Sequence, residues 1–123
     1  MVGDTTVTID TQDESLKVQT FDGTTVTRYN EPSDTVSHKQ TVSHEKTKTG
    51  ITRSVSRLDE NFINTAGAPE MASGYVVMTY SSVEGKARAR EMAKANLAWL
   101  SANSNANLVD IAAKGYGLTP SGD

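Results

Sequence analysis

Cysteine is absent from the chain. Its absence excludes disulfides, and with them any thiolate-held metal. No apolar run approaches the roughly 18 residues of a bilayer-crossing helix, so no membrane partner is expected. The first ten residues are acidic and lack the apolar segment of a secretory signal. There is also no Asn-x-Ser/Thr sequon. The expectation is an intracellular, soluble product, or one assembled inside a cell. Catalytic signatures are missing as well. No Gly-x-Ser-x-Gly occurs, and Asp110 has no His or nucleophile motif beside it. His38 and His44 fall on one face of a strand but have no third ligand, so they read as ordinary, partly buried histidines and not as a zinc site. No cofactor and no metal are expected, and an enzyme is disfavoured. Apolar residues make up 36% of the chain; even with the nine glycines added, the share stays just under the ~45–50% of a typical globular domain. A core this thin, in a chain with an amphipathic tail, points to burial completed by another copy.

What the chain does have is a strand that runs directly into a helix. Gly74-Tyr75-Val76-Val77-Met78-Thr79-Tyr80 is apolar, β-branched and aromatic, the composition of a strand. A helix follows over residues 83–101, with Ser81 or Ser82 as N-cap and Glu84 at the positive end of its dipole. Ala89, Met92, Ala93, Leu97 and Leu100 recur at three- and four-residue steps and form one stripe. Trp99 lies beside it, a core or interface side chain. Lys86, Arg88, Arg90 and Lys94 occupy most of the remaining circumference. The polar run of residues 101–107 must turn the chain. A second, shorter helix then spans 107–114 through Leu108, Val109, Ile111, Ala112 and Ala113, and stops at Lys114-Gly115.

The first 81 residues alternate with the two-residue period of half-buried strands. Residues 6–9 form the first, and residues 10–14 a polar turn. Leu16 and Val18 line one face of the second, which ends at the hairpin dipeptide Asp22-Gly23. Further strands fall at 24–29, at 36–45, at 51–58 with an extension toward 63, and up to Tyr80. A loop at 64–73, rich in small residues, separates the last two. Short connections of this kind give an antiparallel meander. At 123 residues the chain is read as one domain.

Charge is unevenly spread. Residues 1–35 carry two basic and seven acidic side chains, and residues 59–84 carry acids alone. Residues 36–58 hold Lys39, Lys46, Lys48, Arg53 and Arg57 against Glu45 only. That basic block is one expected hairpin, the fourth and fifth strands, and a net-acidic protein can still offer phosphates a local basic surface. In the fourth strand Ser37, Lys39, Thr41, Ser43 and Glu45 share one face, opposite Val36, His38, Gln40, Val42 and His44. In the fifth, Ile51, Arg53, Val55 and Arg57 share a face. Pairing about Lys48 would set Ser43 opposite Arg53 and Lys39 opposite Arg57.

This order of elements resembles the coat protein of single-stranded RNA bacteriophages, the leviviruses. The resemblance is carried by Thr41-Val42-Ser43 in the fourth strand and Arg53-Ser54-Val55-Ser56-Arg57-Leu58-Asp59 in the fifth. It continues through the junction Val77-Met78-Thr79-Tyr80-Ser81-Ser82-Val83-Glu84 and the closing stretch Leu108-Val109-Asp110-Ile111-Ala112-Ala113-Lys114-Gly115-Tyr116, spanning residues 5–116. It implies an α+β fold: a six-stranded antiparallel meander, then two C-terminal helices that pack across the sheet of a dimer partner. It further implies dimers that build an icosahedral virion shell in the cytoplasm of a bacterial host. The inner sheet face would bind a genomic RNA hairpin, for packaging and translational repression. The first helix is longer than the family's, and residues 117–123 extend past its usual end.

Two sets of residues carry these expectations. Lys39, Thr41, Ser43, Lys46, Lys48, Arg53 and Arg57 are the expected RNA surface. Met92, Leu97, Trp99, Leu100, Leu108 and Ile111 are the expected dimer interface. A small dimeric nucleic-acid-binding module that never forms a shell is the alternative.

Overall fold

The computed structural model describes residues 2–117. All but the first residue of the tail that extends past the family's usual end lies outside the described residues. The chain divides into two compact units that meet between Ser81 and Ser82. In the first unit β1 (Thr5–Ile9), β2 (Gln12–Phe21), β3 (Thr25–Asn30), β4 (Ser37–Lys46), β5 (Thr52–Ile63) and β6 (Pro69–Tyr80) form one sheet. Each strand lies beside its sequence neighbours, antiparallel throughout, in the order β1 to β6. The expected meander is present. β1 and β6 are its two edges.

The turns explain where the expected boundaries shift. β1 and β2 are joined by Asp10 and Thr11 alone, with φ of 50° and 67°, so the expected polar turn over 10–14 is mostly strand. Two positive φ values make the tight primed turn of a hairpin. Asp tolerates that conformation and Thr does not favour it, which leaves the turn without its usual sequence signature. At the next hairpin Asp22 behaves as expected. Its carboxylate accepts from the Thr24 and Thr25 amides at 3.0 and 2.8 Å, and these bonds hold its pKa below the ordinary value. Gly23 supplies a φ of 93°.

The β4–β5 pairing differs from the expected register. Lys46 pairs with Thr52, Ser43 with Val55, Thr41 with Arg57 and Lys39 with Asp59. The hairpin is centred on Thr49, one residue beyond Lys48. Thr47 N–H donates to Ile51 O at 2.8 Å and Gly50 N–H to Thr47 O at 3.0 Å, with Gly50 at φ 86°. Those bonds need all of residues 47–51 for the turn. Partners move by two positions, so every side chain keeps its expected face.

The β5–β6 loop is also shorter than expected, covering residues 64–68. Asn64 closes it: its Oδ1 accepts from the Ala66 and Ala68 amides at 3.0 Å each, and its Nδ2 donates to Glu70 at 2.9 Å. Met71-Ala72-Ser73-Gly74 are weak strand formers, yet they pair with residues 58–61 and extend β6.

Burial is concentrated on one face of the sheet. Leu16 and Val26 are the buried hydrophobics among the described residues, and His38 and Ser54 are buried on the same face. His38 is held at both ring nitrogens, by Asn30 Oδ1 and Glu60 Oε2, each at 2.8 Å.

The second unit is α1 (Val83–Ala112), broken where the sequence predicts a turn. Ser82 is the N-cap, its hydroxyl accepting from Gly85 N–H at 2.9 Å. Ala102 is extended and Asn103, Ser104 and Asn105 are left-handed, so α1 consists of two limbs. Asn107, buried in the second limb, donates to the Trp99 carbonyl of the first at 3.0 Å. It thereby satisfies one of the carbonyls that a helix end leaves open. After Ala113 the chain closes in a Schellman pattern: Lys114 N–H bonds Ile111 O and Gly115 N–H bonds Asp110 O, both at 2.9 Å. Here Lys114, at φ 67°, takes the left-handed position usually given to glycine. Gly115 lies against the Asp110 carboxylate, which would have to move to admit a Cβ. That carboxylate accepts from Gly117 N–H at 2.8 Å. Gly117 in turn lies against the Trp99 ring, again with no room for a Cβ.

Candidate nucleic-acid interface

Alternation along paired strands sorts the expected RNA residues. Lys39, Thr41 and Ser43 of β4 and Arg53 and Arg57 of β5 project from one face, opposite that of His38 and Leu16. Lys46 belongs to the other face by register, and Lys48 sits in the turn. The five cations of the hairpin are therefore not one patch; three share a face.

Cross-strand pairing continues that face in rows. Tyr29, Lys39, Asp59 and Ser73 form one row, and Thr27, Thr41, Arg57 and Tyr75 the next. Thr25, Ser43, Val55 and Val77 form a third, and Glu45, Arg53 and Thr79 a fourth. Small hydroxyls dominate β3 and β4, which leaves room for a ligand to approach the backbone. Tyr75 is 62% exposed.

The electrostatics of the face centre on Asp59, buried to 8% exposure. Arg57 Nε donates to Asp59 Oδ1 at 2.7 Å, Ser73 donates to the same oxygen, and Arg57 Nη2 reaches Ser73 Oγ at 3.3 Å. Burial alone would push the Asp59 carboxyl up. The hydrogen bonds from Ser73 and Arg57 and the charges of Arg57 and Lys39 outweigh it and hold the group below its ordinary value. The same hydrogen bond and charge push the Arg57 guanidinium up. The guanidinium carbon stands 5.9 Å from the Tyr75 ring centre, within cation–π range. Lys39 and Arg53 make no hydrogen bond or ion pair of this kind among the described residues.

Six antiparallel strands in sequence order, followed by a broken helix, can be compared with known structures. The chain matches "Bacteriophage EMS014 coat protein" with a TM-score of 0.65 at 21% identity, covering 98% of this chain and 82% of that one. It matches "Virus-like particle of bacteriophage AVE019" with a TM-score of 0.58 at 14% identity, covering 96% and 98%. This is the bacteriophage coat protein fold. No family model and no curated protein matches the sequence, so the likeness lies in the structure.

Met92, Leu97, Trp99, Leu108 and Ile111 are all exposed large hydrophobics, and Leu100 is half-buried. Trp99 has a further role that the periodicity did not reveal, through its contact with Gly117. On the sheet face opposite Lys39, Val42, Val76 and Met78 help line an apolar hollow of about 90 Å³. Tyr75, Asp59 and Ser73 were absent from the expected RNA set. Tyr75 was legible only as a strand residue, since its place beside Arg57 depends on the β5–β6 register.

Proposed function

We propose that the whole chain, residues 1–123, is a single coat-protein domain: the structural, non-enzymatic capsid protein of a single-stranded RNA bacteriophage. The observation that carries this reading is the fold match, which extends over nearly the entire chain to a phage coat protein. Dimers form first. β6 is an edge strand whose open row of N–H and C=O groups can pair with another copy. The exposed apolar residues of α1 (Met92, Leu97, Trp99, Leu108 and Ile111, with Leu100) are the surface a partner covers. Dimers then close into an icosahedral shell in the cytoplasm of a bacterial host. The face carrying Lys39, Thr41, Ser43, Arg53 and Arg57 lines the lumen and binds genomic RNA hairpins for packaging and translational repression. Lys46 and Lys48 lie off that face and add at most at its margin.

Expression of the chain alone should give closed particles in negative-stain micrographs, containing RNA that survives nuclease. Compact dimers that never close, yet still bind RNA, would instead mark a small nucleic-acid-binding module. Particles with no protected RNA would keep the capsid reading and remove the RNA one.

A further inference from the structure

Arg57 differs from Lys39 and Arg53 in being held before any ligand arrives. One edge of its guanidinium is committed: Nε to Asp59 at 2.7 Å and Nη2 to Ser73 at 3.3 Å. Its guanidinium carbon lies over the Tyr75 ring, 5.9 Å from the ring centre. Ser73 also donates to Asp59, which locks the two partners to each other. The carboxylate offsets the guanidinium charge, so this group has little left to offer a phosphate.

What it does offer is geometry. The outer edge, built from Nη1 and the second Nη2 proton, makes no hydrogen bond among the described residues, and the side chain is 41% exposed. Two parallel N–H donors fit two adjacent acceptors on one ligand. Among unpaired bases, guanine presents O6 and N7 side by side, and cytosine presents O2 and N3. Adenine and uracil set no two acceptors side by side on one edge. Neighbouring Thr27 and Thr41, in the same row as Arg57 and Tyr75, are small enough to let a base approach.

We propose that Arg57 is a base-reading group and not a phosphate-neutralising one: gripped by Asp59 and Ser73 over Tyr75, it selects a loop base with two adjacent acceptors, guanine or cytosine. The proposal rests on the RNA-binding reading above and assigns that site its specificity.

The test uses RNA hairpins with a fixed stem and a randomised loop, selected separately on the wild-type protein, Arg57→Lys and Arg53→Ala. Sizing chromatography first establishes that each variant keeps the wild-type assembly state. The wild type should enrich guanine or cytosine at one loop position. Single hairpins differing only at that position then tell the two bases apart. Discrimination against adenine there should be roughly tenfold or more. Arg57→Lys keeps the charge and loses the fork, so the preference should vanish while the salt dependence of binding is unchanged. Arg53→Ala should do the reverse, keeping the preference and flattening the salt dependence. Retention of the wild-type preference by Arg57→Lys would assign Arg57 to a phosphate and overturn the proposal. A wild-type protein that binds hairpins without base preference also overturns it and leaves the RNA reading standing. One that binds no hairpin removes the RNA reading itself.

Discussion

Replacing Leu108 and Ile111 together by aspartate should leave no folded dimer and no shells, and the chain should be recovered as aggregate or unfolded protein. In the single chain these side chains are 49% and 42% exposed, and Met92, Leu97 and Trp99 are similarly open. Against them stand Leu16 and Val26 as the buried hydrophobics among the described residues. A core of that size cannot offset the backbone entropy of ordering a chain of this length. Burying each further Leu or Ile adds about 1.5–3 kcal/mol, while a whole domain has only about 5–15 kcal/mol to lose. Two buried carboxylates would remove the gain of both side chains and add a desolvation penalty. The wild type should show the counterpart, a thermal midpoint that rises with protein concentration. A double mutant that stays folded, or a wild-type midpoint independent of concentration, would mean that the chain is complete as a monomer.

Lys39→Ala with Arg53→Ala should give particles that assemble but lose most of their protected RNA. Both cations share the sheet face with Thr41 and Ser43, and neither is held by a carboxylate as Arg57 is. Each phosphate contact removed should reduce the slope of log affinity against log salt by about 0.7 on single-stranded RNA. The pair should therefore flatten it by roughly 1.4 units. Arg88→Ala with Arg90→Ala is the matched control, with the same charge removed from α1. If the control loses the RNA and the sheet variant keeps it, the RNA is held by the cations of α1. Binding at a series of salt concentrations, with nuclease protection of purified particles, separates the outcomes.

The architecture was legible because its signals are local. Alternating Thr, Val and Ser with turn residues at regular intervals marks six strands, and short connections leave the meander as the simplest topology. The helix break was legible from the Asn and Ser run, since Asn tolerates the left-handed conformation it adopts at 103 and 105. What was not legible depended on which residues face each other. The β4–β5 partners differ from expectation by two positions because the turn takes in all of residues 47–51. The cluster of Arg57, Asp59, Ser73 and Tyr75 joins residues up to 18 positions apart (Arg57 and Tyr75 are directly paired), and no local pattern encodes that pairing. The start of β6 was obscured by small residues that become strand only because β5 lies beside them. The turn at Asp10-Thr11 lacks glycine and so lacks its usual marker.

The left-handed run in α1 also bears on how copies of this chain can exchange parts. Asn103, Ser104 and Asn105 have φ of 53°, 58° and 65°, a conformation that costs most L-residues, Ser104 included, roughly 1–2 kcal/mol and asparagine less. The second limb is returned to the first by this strained reversal and secured by Asn107 on the Trp99 carbonyl and Gly117 on the Trp99 ring. If the reversal opened, α1 would straighten into a rod of about 45 Å at 1.5 Å per residue. The second limb could then make the same contacts with another copy's Trp99. Everything lost within one chain would be regained between two, apart from the strain, which would be released. Domain swapping is favoured under those conditions. Substituting glycine at 103–105 relieves the strain without opening the turn, and should lower the fraction of exchanged dimers measured by mixing differently labelled copies.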